Sequence, residues 1–519
     1  MLGVVAAGFF FVPLLWWRGD DAEFVTLARG IASGRWMRYI NMPGEPRSVK
    51  FPFGFPLLLA AVERIAPGGL LAMKGFVALQ FALSIPVVYW LARRTLPIDA
   101  AFGVALLCLT NPFLIEFSHH IMSEIPYVLF SLAALLAVDR AVRTGRPCPA
   151  IVSAILVASA ILIKPIGLAL GAGLILALSL QGQRRAAAAA GSGCLAAVLL
   201  TAALGGPFAL TFSARSGELD IHNPEFQSYM GRIFERDAYQ QVTERASLGD
   251  LAGRAARNLR GYVSTNLPLV LMPFPALLFE QIWTSAPGRL ILVVLTLGGL
   301  SLGFARYLRL GRPEAWYGIV YLAGLLLWPS RGVDFGPGRR YLVPLLPIML
   351  IFLISGLQRL LRLIGGFIHR LQPIGTAVLV AAMSLLYLFT ARDITRGERH
   401  YPPSWTGYYE AAVWLKRHAP PDTVILARKP FDLYLAAERR TAYYPYSPDP
   451  EDLVRAIERY QAAYVVIDNL GRQETPRYLV PASNANKERF AIAFASSIEP
   501  RTYVLRTMDR NARSGGAQQ

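Results

Sequence analysis

Apolar residues run in long blocks separated by short polar connectors as far as residue 391, and then the pattern stops. A helix crossing a bilayer core needs about 20 predominantly apolar residues. Blocks near that length lie at about 1–17, 69–92, 98–117, 122–138, 149–163, 165–181, 187–212, 288–305, 314–330, 341–357 and 374–391. The fold class expected is a polytopic α-helical membrane protein with about eleven transmembrane helices. Two of the blocks are short and abut at Lys164–Pro165, where the chain must turn. A further apolar stretch, 267–283, carries Pro268, Pro273 and Pro275. Interior prolines break helices, so this stretch reads as interfacial or re-entrant. Residues 1–17 have no basic leader and no small-residue cleavage site after them, so they read as a span and not as a signal peptide.

Beyond 391 the pattern changes period. Helix-like YYEAAVWLKRHA precedes a DTVILA strand, and DPEDLVRAIERYQ precedes the strand AAYVVID. FAIAFASSIEP and TYVLRTM read as a closing hairpin. Residues 392–519 are therefore expected to form a separate α/β domain, and 1–391 a membrane module with outer loops at 18–68 and 213–287. The tail has no glycine-rich phosphate loop, so no nucleotide is assigned to it. Within the loops, AEFVTLARGIA after Asp21 reads as an amphipathic helix lying along the interface, and RAARNLRGYV at 254–263 as a basic surface helix.

Composition sharpens the class. The chain is 54% hydrophobic and only 17% charged, against about 25% charged in soluble domains. The net charge of +18 does not point to nucleic acid, because the basic residues sit in short clusters and not on one continuous face. Arg93–Arg94, Arg140/Arg143/Arg146, Arg184–Arg185, Arg306/Arg309/Arg312 and Arg359/Arg362/Arg370 occupy alternate connectors. The positive-inside rule makes that face cytoplasmic. The N-terminus is then inside a plasma membrane and the α/β tail outside it. The opposite connectors hold most of the acids and histidines, so function is expected there. Cys108, Cys148 and Cys194 form no metal or disulfide signature. No internal repeat is visible, which argues against a transporter built from repeats.

Candidate chemistry lies on the outer side. Asp20 and Asp21 follow the first span directly. A carboxylate pair there can serve as general base, metal ligand or helix cap. Lys50 opens the rigid stretch Lys-Phe-Pro-Phe-Gly-Phe-Pro near headgroup depth, where a lipid phosphate lies. His119, His120 and Glu124 sit at the outer end of the third and fourth spans. They can position a donor or acceptor, or hold a divalent metal through imidazole and carboxylate. Their spacing matches no zinc signature, so no metal is required. Lys164 ends the fifth span. Arg331, Asp334, Arg339, Arg340 and Tyr341 lie in a short outer loop, against the general charge rule. Guanidinium forks match phosphate oxygens, which gives that exception a purpose. His222, Glu225, Tyr229 and Arg232 in 213–287 are candidates for acceptor choice.

Five short motifs appear in order: Asp20-Asp21 after the first span, Lys50-Phe-Pro in the first outer loop, Ser123-Glu124-Ile-Pro at the fourth, Lys164-Pro at the fifth, and Arg340-Tyr341-Leu-Val-Pro opening a late span. This order resembles the GT-C membrane glycosyltransferases of the protein O-mannosyltransferase and lipid A aminoarabinose transferase type, over roughly residues 15–347. The resemblance implies transfer of a hexose or pentose from a polyprenyl-phosphate carrier to an acceptor outside the cytoplasm. It implies that Asp20 is the acceptor-activating carboxylate with Asp21 beside it. Lys50, Arg339 and Arg340, with Tyr341 adjacent, would grip the lipid phosphate. Elementary chemistry agrees: such a transfer needs a base for the incoming hydroxyl and fixed positive charge on the departing phosphate. Attack opposite the phosphate would invert the anomeric centre. Three rivals stay open: an oligosaccharide transferase or ligase with a larger donor, a transporter of lipid-linked sugars, and a non-enzymatic receptor or scaffold whose active part is the α/β tail.

Overall fold

The computed structural model describes residues 10–204, 233–236, 244–273, 285–329, 337–364, 372–471 and 473–508. Arg331, Asp334, His222, Glu225, Tyr229 and Arg232 lie outside the described residues, as does most of the expected first span. The described part of that span, residues 10–17, is irregular and not helical. From there the helices follow the apolar blocks closely. They run Leu70–Ala92, Ile98–Thr110, Pro112–Ser118, Glu124–Thr144, Pro147–Ile163, Gly167–Leu180, Arg184–Leu204, Ala286–Arg309, Pro313–Leu327, Leu346–Ile364 and Gln372–Glu398. Six helices are long and apolar enough to cross a membrane, and a bent pair makes a seventh; Pro147–Ile163, Gly167–Leu180 and Pro313–Leu327 are apolar but shorter. Leu79, Leu83, Phe102, Ile155, Leu199, Val294 and Leu385 are exposed on these helices. A water-soluble fold would bury such side chains; here lipid tails cover them.

The bend has a local cause. The Asn111 side chain accepts hydrogen bonds from the amides of Phe113 and Leu114, and Pro112 follows it. An asparagine cap followed by proline ends one helix and starts the next. The two pieces meet at 54°, and the second carries Glu116 and leads into His119 and His120 at the end of the bundle where helix Glu124–Thr144 begins.

Two helices pack with their backbones nearly touching. A Cβ on Gly303 would lie 1.8 Å from the Phe352 carbonyl oxygen, and one on Gly356 1.8 Å from that of Gly299. Small residues permit such approaches in membranes. Gly303→Val is therefore expected to prop apart helices Ala286–Arg309 and Leu346–Ile364 and to cost about 3 kcal/mol or more. A thermal melt in detergent checks this; an unchanged midpoint would contradict it.

The basic connectors gather at one end. Asp139 takes Arg143 at 2.8 Å and Arg312 at 3.1 Å, and Arg94 pairs with it as well. Asp20, Asp21, His119, His120 and Lys164 lie together elsewhere, where helix Glu124–Thr144 begins.

In that same region, two helices fill the first outer loop, Asp21–Ala32 and Gly54–Ile65. Ten of the twelve residues of the first are buried, because helix Gly54–Ile65 and the C-terminal region both pack against it. That region is a five-stranded sheet of order β2-β1-β3-β5-β4, with β1 Val424–Leu426, β2 Arg440–Ala442, β3 Ala462–Ile467, β4 Phe490–Ala495 and β5 Tyr503–Thr507. β1 runs parallel to β2 and β3, while β5 runs antiparallel to β3 and β4. Helix Pro430–Ala437 packs against helix Asp21–Ala32. Phe431 meets Tyr39 with ring centroids 5.0 Å apart. The Thr441 amide donates to the Asn41 carbonyl at 2.8 Å. The basic helix Leu248–Gly261 is also present. Its Arg254 and Asn258 turn inward and donate to carbonyls of residues 325–328.

Candidate active site

The first helix of the outer loop begins one residue after Asp20, whose side chain makes no capping hydrogen bond. It turns instead toward cations. Arg340 Nη2 donates to Asp20 Oδ2 at 3.0 Å, and Lys50 Nζ stands 3.5 Å from Oδ1. Burial pushes the Asp20 carboxyl up, but Lys50, Arg340 and Lys429 outweigh it and hold it below its ordinary value of 3.8. Asp20 is thus ionised across the whole physiological range.

Asp21 has a different occupation. Its Oδ2 accepts the backbone amides of Ile121 at 3.1 Å and Trp16 at 3.3 Å. Burial is the main influence on it and pushes its carboxyl up to about 6. The pair therefore divides its labour: Asp21 pins two outer segments together while Asp20 faces the cationic cluster.

Arg340 is the hub of that cluster. Its Nε donates to Glu124 Oε1 at 2.5 Å while Nη2 holds Asp20. Lys164 donates to the same Glu124 oxygen at 2.9 Å and approaches the Ser123 hydroxyl at 3.4 Å. Glu124 is fully buried, and its other oxygen has no hydrogen bond among the described residues. Lys50 is bound tightly by Glu23 at 2.7 Å. Glu23 also accepts the Tyr39 hydroxyl at 2.6 Å, and that hydroxyl lies 2.8 Å from Ser48. Three carboxylates thus balance three cations.

Beside this network opens a cavity of about 330 Å³. Its walls are apolar, with Ile163, Pro165, Leu168, Val320 and Leu325 among them, and Lys164, Arg340 and Tyr341 stand on its lining.

Not every candidate joins the cluster. Arg339, next to Arg340 on helix Pro337–Leu342, lies over the Phe113 ring at 5.2 Å. His119 and His120 face Glu398, each with Nε2 3.2 Å from Glu398 Oε2. Any metal on these histidines would therefore take Glu398 as its carboxylate ligand and not Glu124, whose bonded oxygen is committed to Lys164 and Arg340.

Sequence reasoning missed Glu23, Glu398 and two residues of the C-terminal region. Lys429 Nζ donates to the Gly19 carbonyl at 3.4 Å, immediately before Asp20. Asp432 is buried nearby, and burial pushes its carboxyl up to about 6. Lys429→Met is expected to raise the Asp20 carboxyl, since one of its three cations is gone. If Asp20 is the working base, the acid limb of the kcat/KM profile shifts to higher pH. Lys429→Arg should keep the limb in place; identical profiles for Met and wild type would remove Lys429 from this role.

Arg340 thus joins an ionised carboxylate, Asp20, to the lining of an apolar cavity within a bundle of apolar helices. The fold resembles those of solved membrane glycosyltransferases, and part of the sequence matches a mannosyltransferase family. Residues 50–207 match the dolichyl-phosphate-mannose-protein mannosyltransferase family. ArnT from Cupriavidus metallidurans, solved bound to undecaprenyl phosphate, aligns over 98% of this chain and 97% of its own, with TM-score 0.57 and 14% identity. The oligosaccharyltransferase of Archaeoglobus fulgidus, solved with Zn and sulfate, covers 90% of this chain and 67% of its own, with TM-score 0.55 and 13% identity. AglB of the same organism, solved with an inhibitory peptide and a dolichol-phosphate, gives TM-score 0.54 and 12% identity over 90% and 68%. No curated protein matches the sequence.

Proposed function

We propose that this chain is a multi-pass glycosyltransferase that moves a sugar from a polyprenyl-phosphate carrier to an acceptor outside the cytoplasm, with Asp20 as base. One observation carries the reading: the Arg340 that lines the apolar cavity also holds Asp20 at 3.0 Å. The lipid tail occupies the apolar walls and the phosphate meets Lys164 and Arg340. Two proteins of this fold were solved with a polyprenyl phosphate bound, which supports a donor of that class. The basic connectors clustered around Asp139 support a cytoplasmic face opposite the site.

The step balances as follows. Asp20 accepts the proton of an acceptor hydroxyl, and that oxygen forms a bond to the anomeric carbon. The carbon–oxygen bond to phosphate breaks, and polyprenyl phosphate leaves with the electron pair. Arg340 and Lys164 stabilise the charge that develops on the leaving oxygen. Arg340 also couples binding to chemistry. A phosphate that draws the guanidinium from Asp20 removes a charge that depresses the base, so Asp20 becomes more basic once the donor is seated. Back-side attack gives inversion.

Purified protein in nanodiscs, supplied with labelled polyprenyl-phosphate sugars and an envelope extract, tests this. Cleavage of the carrier bond with label moving to an acceptor supports it. Label that crosses the membrane of sealed vesicles without cleavage would mark a transporter instead.

A further inference from the structure

A second cluster of ligating side chains stands apart from the Asp20–Arg340 network, and the reaction above does not use it. We propose that His119, His120 and Glu398 form a divalent-cation site of zinc type that ties the second outer connector to the root of the C-terminal region.

Their positions argue for a built site. The histidines follow the bent helix pair, and Glu398 is the last residue of helix Gln372–Glu398, so chain segments almost 280 residues apart converge. Both imidazoles are buried. Each Nε2 lies 3.2 Å from Glu398 Oε2, and the three donor atoms all fall within 4.8 Å of one another. In a tetrahedral zinc site with bonds of about 2.0–2.2 Å, neighbouring ligand atoms stand roughly 3.3 Å apart. The two His–Glu398 edges match that spacing and the third is no longer than 4.8 Å, so a modest closing of the histidine pair would seat the ion.

The surroundings suit a metal as well. Ligating carboxylates are themselves hydrogen-bonded in metal sites. Trp16 Nε1 donates to the other Glu398 oxygen at 3.0 Å, and the Trp16 ring stacks on His120 at 4.8 Å. The nearby Lys74 ammonium is taken up by the carbonyls of Val12, Leu14 and His119. Imidazole with carboxylate favours Zn or Mn over Ca.

The consequence is positional. Trp16 also offers its backbone amide to Asp21. An ion on Glu398 would therefore fix the Trp16–Asp21 turn that presents Asp20, without touching the reacting atoms. The inference does not depend on Asp20 being the base, and its test reads metal and stability, not transfer.

The full-length protein, carrying a purification tag without histidines and kept free of chelators, is analysed by elemental mass spectrometry and by thermal melting in detergent. About one equivalent of Zn or Mn is expected. EDTA should lower the melting temperature, and added Zn should restore it. Glu398→Gln keeps a hydrogen-bond acceptor but weakens the metal; it and His119→Gln/His120→Gln should each lose the metal and the response to EDTA. If the double variant does not fold, Glu398→Gln decides alone. Wild type with no metal and no melting shift on added Zn or Mn would overturn the proposal, leaving a cluster of hydrogen bonds only. Metal retained by both variants would overturn it too, because the ion would lie elsewhere.

Discussion

Asp20→Asn is expected to abolish sugar transfer, by about 10²–10⁴-fold or more, while donor binding survives. A positioned general base contributes about that factor. The amide keeps the size of the carboxylate and its hydrogen-bonding oxygen but cannot take a proton. Its partners stay compensated: Lys50 retains Glu23 at 2.7 Å and Arg340 retains Glu124 at 2.5 Å. The fold should therefore tolerate the change. Asp21→Asn supplies the contrast. An amide oxygen still accepts from Ile121 and Trp16, so most of the transfer should remain. Single-turnover transfer, measured beside polyprenyl-phosphate binding, separates the two variants. Transfer by Asp20→Asn within tenfold of wild type would remove it as the base.

Arg340→Met should produce the second large effect, on donor affinity and on stability together. The substitution takes away the one group that touches Asp20, Glu124 and the cavity. Removing one partner of a buried pair costs about 3–5 kcal/mol, because a charge is left uncompensated. Glu124 is wholly buried, but the Arg340 side chain is 18% exposed and Lys164 remains, so the lower end applies. Donor affinity should fall by about tenfold for each 1.4 kcal/mol of lost phosphate contact. Arg340→Lys should recover the charge and part of the stability. A lysine cannot hold Glu124 and Asp20 at once as the guanidinium fork does, so catalysis should recover less than binding. Binding by Arg340→Met equal to wild type would take Arg340 off the phosphate.

Much of this was legible along the chain because membranes impose a simple code. Apart from the first, whose described part is irregular, the apolar blocks became helices, with ends displaced by up to about seven residues. Asn111–Pro112 bent a span that looked continuous, since hydropathy does not register a cap. DTVILA, AAYVVID and the final hairpin became β1, β3, β4 and β5; β2, Arg-Thr-Ala, has no apolar run to mark it, whereas the equally short β1 is Val-Ile-Leu. The burial of residues 22–32 on nearly all sides was not legible, because it comes from helices Gly54–Ile65 and Pro430–Ala437 packing against them. Glu23 looked like part of a wet face and is instead the tightest partner of Lys50.

Adjacent residues show the same limit more sharply. Arg339 and Arg340 are indistinguishable by type, but consecutive helical positions point about 100° apart. One stacks on Phe113 and the other holds Asp20. Lys429, Asp432 and Glu398 were invisible because they lie hundreds of residues from their partners and belong to no local motif. Only the packing of helix Pro430–Ala437 on helix Asp21–Ala32 brings the first two near the site.

The most direct measurement is a density map of the protein with a polyprenyl-phosphate analogue bound in a nanodisc. The phosphorus should stand beside Lys164 Nζ and the Arg340 guanidinium, with oxygens about 3 Å from both and the tail along Ile163, Leu168 and Val320. A headgroup seated instead on the exposed arginines Arg35, Arg38, Arg47 and Arg440, which line a separate open groove, would contradict the account.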